Sequence, residues 1–153
     1  MTPRVEAVDT HAHVFRRDLP VVAGARYAPQ SDAPLADWLA RMDANGVSHG
    51  VLVQVSFLGT DNSHLLEALD AAGGRLRATV QCDPDTPAAT LDRWHRRGVR
   101  GVRLNTIGAR PRPDLSHAKW RAFLGKLADR GWHVEVHDEG GGLAAMLAAL
   151  AGC

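Results

Sequence analysis

A chain of 153 residues, 45% apolar and 23% charged, is long enough for one domain with a real core and has the balance of a soluble globular protein. The net charge of +1 comes from interspersed charges of both signs, so neither a nucleic-acid surface nor an acidic membrane surface is expected as partner. The longest apolar run, Leu143 to Ala151, is too short for a bilayer span, and no apolar h-region follows the first residues; with only Cys82 and Cys153 and no CxxC pair, a reduced cytoplasmic setting is the expectation.

The elements follow one recurring pattern: a short β-branched run, a polar turn, then an amphipathic helix. Val5 to Val14 reads as a first strand, and a long Pro, Gly and Arg loop runs from Phe15 to about Ala33. Leu35 to Asn45 is a predicted helix with Leu35, Trp38, Leu39 and Met42 on one face and Gly46 as its stop. His49 to Ser56 is the second strand. Asp61, Asn62 and Ser63 offer N-caps for a helix through Ala72, striped by Leu65, Leu66 and Leu69. Leu76 to Cys82 is the third strand, and Asp85-Thr86-Pro87 opens a helix that Gly98 ends. Val99 to Asn105 is the fourth strand. Past an Ile107 to Pro113 loop, Ser116 caps a helix to Arg130 with Trp120, Phe123, Leu124 and Leu127 on one side. Trp132 to His137 is the fifth strand, and Gly140 to Gly142 leads into the apolar segment Leu143 to Leu150.

Strands alternating with helices at roughly 25–30-residue spacing imply βαβ units with a parallel sheet and right-handed crossovers. A doubly wound sheet and a section of a (β/α)8 barrel both fit. No GxGxxG follows the first strand, which disfavours a dinucleotide site. A full barrel typically needs about 250 residues, so the expected architecture is a truncated TIM barrel of five β/α units, with residues 1–153 forming a single partial domain.

The chemistry concentrates at the predicted strand ends. In Asp9-Thr-His11-Ala-His13, alternation puts Asp9, His11 and His13 on one face of the first strand, where two imidazoles can converge on one ion or one carbonyl. The plain alternative is a histidine pair without a role. Arg103 and Asn105 share a face at the end of the fourth strand. An arginine there either grips a carboxylate in bidentate fashion or forms a salt bridge with a neighbouring strand. Arg110 and Arg112 in the next loop could join an anion site. His133, Glu135 and His137 share a face of the fifth strand; His137, at the catalytic end, is a candidate metal ligand or polariser, and His133 a structural residue. Asp138 and Glu139 read as solvated loop carboxylates. Gln54 and Ser56 approach the same rim as candidate hydrogen-bond partners of a substrate. Cys82 reads as a buried small residue, and the tryptophans as packing.

At these residues the chain resembles the amidohydrolase superfamily, in the branch that holds 2-pyrone-4,6-dicarboxylate lactonase and related sugar-lactone hydrolases and isomerases. The matching segments are Val8-Asp-Thr-His-Ala-His-Val14, Val51-Leu-Val-Gln-Val-Ser56 with Gly59-Thr-Asp-Asn62, Gly98-Val-Arg-Gly-Val-Arg-Leu-Asn105 and Gly131-Trp-His-Val-Glu-Val-His137. The resemblance implies hydrolysis of a cyclic ester, first of all a carboxylated lactone, with His11, His13 and His137 lining the site. It implies that Arg103, and beside it Arg110, hold the substrate carboxylate. It leaves two cofactor states open: none, or one divalent metal such as zinc on His11 and His13. A decarboxylase or lactone isomerase on the same scaffold is the second enzymatic expectation. An inactive truncated relative or interaction module is the non-enzymatic one.

Relatives of this type also carry a histidine at the end of strand six and an aspartate at the end of strand eight that activates the water. Nothing in this chain takes the place of either. Five units alone would leave the first and fifth strands with open edges, so self-association through those edges is expected.

Overall fold

The computed structural model describes residues 6–107 and 111–151. Five strands, β1 (Val8–Ala12), β2 (His49–Val53), β3 (Leu76–Val80), β4 (Val99–Asn105) and β5 (His133–His137), alternate with five helices. These are α1 (Leu35–Ala44), α2 (Ser63–Ala71), α3 (Ala88–Arg97), α4 (Ala118–Ala128) and α5 (Leu143–Ala151). All neighbouring strands pair in parallel, and their order in the sheet is their order in the chain. That order separates the two candidate architectures. A doubly wound sheet reverses direction at a switch point, whereas a sheet that only ever steps forward is a section of a barrel. The fold is a half-barrel, curled, with its helices outside.

The sequence pattern explains the layers. Leu52, Leu76, Ala78, Val80, Val99, Val102 and Leu104 supply the strands' share of the core. Leu65, Leu66, Leu69, Leu91, Phe123, Leu124 and Leu127 supply the helices' share. The helices end where glycine permits a left-handed turn: Gly98 closes α3 with φ of 109°, and Gly46 follows α1 with φ of 67°. No helix among the described residues is long and apolar enough to cross a membrane.

Several boundaries differ from the pattern. β2 stops at Val53, because Val55, Phe57 and Leu58 turn aside through a 3-10 turn at Ser56–Leu58 to build a second apolar cluster. The long loop after β1 packs on that cluster through Phe15, Leu19 and Ala25. Phe15 and Tyr27 meet the Phe57 ring edge-on, at 5.5 and 5.6 Å between centroids. An antiparallel bridge between Phe15 and Ala33 pins the loop's base, and the Val22 amide donates to the Phe57 carbonyl at 2.9 Å. A segment read as a plain loop is therefore a packed Ω-like cover. β3 ends at Val80 rather than Cys82. α4 begins after His117, whose Nδ1 accepts from the Lys119 amide; Ser116, expected as the cap, instead donates its hydroxyl to Asp114. At α2, Asp61 accepts from the Ser63 amide and hydroxyl, while the buried Asn62 side chain donates to the Gln81 carbonyl and accepts from the Gln81 amide.

Candidate active site

The register places the chemistry. Gly101, Arg103 and Asn105 on β4 stand beside His133, Glu135 and His137 on β5. At the base of the inner face, the His133 ring covers Gly101 so closely that a Cβ there would overlap it, and Thr79 Oγ1 lies 3.1 Å from His133 Nε2.

On β1 the alternation is broken. Asp9 pairs with Gly50, but Ala12 pairs with Leu52, so β1 spends one residue more than β2 over the same interval. The extra residue is a bulge, and it turns Asp9 to the opposite face from His11 and His13. The expectation that all three share a face is corrected accordingly. Asp9 Oδ2 accepts from Trp38 Nε1 on α1 at 2.9 Å, and Asp9 Oδ1 accepts from the His11 amide at 3.2 Å. Asp9 thereby fastens the bulge to the helix layer.

The histidines it orients converge with the β4 and β5 side chains. The His11 and His13 rings lie 5.0 Å apart, edge to face. His11 Nδ1 is 3.9 Å from Glu135 Oε1. His13 Nδ1 sits 2.7 Å from the Val53 carbonyl, an acceptor only, so Nδ1 carries the proton and Nε2 keeps its lone pair. Burial lowers the His13 pKa; the Val53 carbonyl opposes this, while His11 and Arg103 add to it. Arg103 is almost enclosed. Its Nε lies 3.1 Å from Glu135 Oε1, an ion pair whose N–H is not aimed at the oxygen, and its Nη2 donates to His137 Nδ1 at 2.7 Å. Of the two readings of Arg103, the cross-strand salt bridge is the one the structure shows. Burial also lowers the His137 pKa, followed by the Arg103 charge beside it; Arg26, from the long loop, contributes in the same direction.

The remaining candidates sit elsewhere. Gln54 is 1% exposed, and its amide nitrogen donates to the Gly59 and Asp61 carbonyls, holding the connection that follows β2. Ser56 is partly buried at the start of the 3-10 turn. Arg110 lies outside the described residues. Burial pushes the Cys82 thiol up to about 12, as befits a packed sulfur. Asp138 corrects the expectation of a solvated carboxylate. Its side chain is fully enclosed and accepts from Arg112 Nε at 2.7 Å, Arg112 Nη2 at 3.1 Å, Thr106 Oγ1 at 2.6 Å and the Gly140 amide at 2.8 Å. Arg112 therefore belongs to this clamp. Glu135 was visible on the His137 face of the sequence. Arg26 and the Asp138 clamp had no signal there, because both depend on loop paths.

Among the described residues, no three His, Cys, Asp or Glu side chains gather closely enough to hold a metal ion. A catalytic zinc commonly takes three protein ligands. His11 and His13 supply two imidazoles, and Glu135 is already paired with Arg103. The set does not fit a metal by itself.

Residues 8–151 match the family described as Amidohydrolase. The chain belongs to the amidohydrolase family. Among its family relatives, a 2-pyrone-4,6-dicarboxylate hydrolase of Comamonas testosteroni is 32% identical over 87% of this chain and 44% of its own length. A 4-sulfomuconolactone hydrolase of Hydrogenophaga intermedia is 30% identical over 84% of this chain and 43% of its own. A crystal structure from Acinetobacter baumannii, described as a 2-pyrone-4,6-dicarboxylic acid hydrolase with citric acid bound, superposes with a TM-score of 0.91 at 35% identity, covering 95% of this chain and 54% of that one. One from Pseudomonas putida, also described as a 2-pyrone-4,6-dicarboxylic acid hydrolase, is 47% identical with a TM-score of 0.86, covering 98% and 55%. This amidohydrolase chain thus spans about half the length of the relatives it matches.

Proposed function

We propose that the chain supplies half of a lactone-hydrolysing site for a small carboxylated cyclic ester. The observation that carries this reading is the convergence of His11, His13, Arg103, Glu135 and His137 on the inner face of a half-barrel. In a barrel enzyme the strands' C-terminal ends form the site. Arg103 brings a fixed positive charge to which a substrate carboxylate is drawn, with Glu135 beside it as counter-ion. An imidazole that presents an N–H, the role open to His137, polarises the ester carbonyl as water attacks and negative charge grows on its oxygen. The resemblance puts the base that deprotonates this water on an eighth strand.

The relatives' names set the substrate class to test. The chimaera to make places residues 1–153 in the matching half of the Comamonas relative, with 2-pyrone-4,6-dicarboxylate and 4-sulfomuconolactone as substrates and lactone absorbance as readout. Turnover is expected, and Arg103→Met is expected to raise KM for the dicarboxylate by about tenfold or more, the size of one lost charged hydrogen bond. A folded chimaera that opens neither lactone ends the proposal, and release of carbon dioxide in place of ring opening redirects it to a decarboxylase.

A further inference from the structure

We infer that Arg103, braced by Glu135, fixes the tautomer of His137 so that this imidazole serves the site as a hydrogen-bond donor through Nε2–H. The argument begins with what a guanidinium can do. It has five N–H donors and no acceptor. At 2.7 Å from Arg103 Nη2, His137 Nδ1 must therefore present its lone pair. The one proton of the neutral ring then sits on Nε2. Burial and the adjacent guanidinium both disfavour a second proton on this ring.

Glu135 makes the arrangement affordable. The register sets it directly beside Arg103, and its Oε1 lies 3.1 Å from Arg103 Nε. An almost enclosed guanidinium without a counter-charge would be strongly destabilising. Arg103 and Glu135 are thus positioning residues, and His137 is the group they set.

His13 is held the other way round. Its Nδ1–H donates to the Val53 carbonyl, and its Nε2 keeps the lone pair. The two imidazoles have opposite tautomers: His13 accepts a proton or hydrogen bond at Nε2, and His137 gives one. This also separates the alternatives left open for His137. A metal ligand needs a lone pair, and in this state His137 has none left. It is a polariser of a carbonyl or an anion. That chemical assignment deepens the lactone-site reading and rests on it, whereas the tautomer itself does not.

The test is nitrogen NMR on the 153-residue chain carrying isotopically labelled histidine, at a pH where the imidazoles are neutral. The His137 signals are identified by their loss in His137→Gln. Nδ1 is expected to resonate as the unprotonated ring nitrogen and Nε2 as the protonated one, with His13 reversed. In Arg103→Met and in Glu135→Gln the His137 pattern is expected to shift toward the mixed-tautomer average, with that of His13 unchanged. A parent chain with His137 protonated on Nδ1 overturns the inference whether or not any variant folds. So does an unmoved His137 pattern in a folded Arg103→Met chain. No substrate enters the experiment, so a failure of lactone hydrolysis and a failure of this inference are read separately.

Discussion

Asp138 gathers two guanidinium nitrogens, a hydroxyl and a backbone amide around one carboxylate. Those donors hold its carboxyl well below the ordinary value of 3.8, with the Arg112 hydrogen bond first and Thr106 second. A lowered carboxyl pKa contributes stability that is complete above the unfolded value and lost as pH falls through the folded one. Replacement by asparagine keeps an acceptor but removes the charge that Arg112 needs. Asp138→Asn is therefore expected to lower the urea midpoint at neutral pH and to flatten its decline below about pH 4. His13 and His137 act earlier on the same acid limb. Their pKa values lie below the ordinary 6.5, mainly through burial, so below that pH the unfolded chain takes up protons that the folded chain refuses. Urea midpoints followed from pH 8 downward should first fall as the pH drops below about 6.5, before the Asp138 stage. A midpoint flat from pH 7 to 5 would contradict the burial of both imidazoles.

At the scale of elements, Phe57 joins the long cover loop to the turn after β2. It is fully buried, touches Phe15 and Tyr27, and accepts the Val22 amide on its carbonyl. Phe57→Ala is expected to cost about 3–5 kcal/mol in urea unfolding and to open the loop to trypsin at Arg16, Arg17 and Arg26. An unchanged digestion pattern would show that the loop is held by other contacts. The existence and order of all five strands and helices were legible in the sequence, because β-branched runs and amphipathic stripes are local signals. The cover was not legible, since Phe15, Leu19 and Phe57 belong to one cluster only once the chain has folded back. The β1 bulge was hidden for a related reason: one surplus residue moves Asp9 across the sheet without altering the His11-Ala-His13 spacing. In the site, the histidines and Arg103 stood out by type and position. The partner of Arg103 did not, because the β4 to β5 register is set by packing between strands far apart in sequence.

Across the whole molecule, the described sheet has two free sides: β1 pairs only with β2, and β5 only with β4. Parallel edges offer unpaired amides and carbonyls, and proteins usually cover, charge or close them. Here β1 also carries Val8, 45% exposed. A second copy can meet both edges at once, β1 of each chain against β5 of the other. Such an arrangement closes by a two-fold axis and leaves no edge over. Sedimentation of the 153-residue chain is expected to show a weight-average mass that rises with concentration from monomer toward dimer. Val8→Lys places a charge on the exposed β1 strand and is expected to shift that rise to higher concentration while the far-ultraviolet circular dichroism stays that of the parent. A chain that remains monomeric across the accessible range would mean that the two edges are protected within one copy, and a rise that Val8→Lys leaves in place would move the contact away from β1.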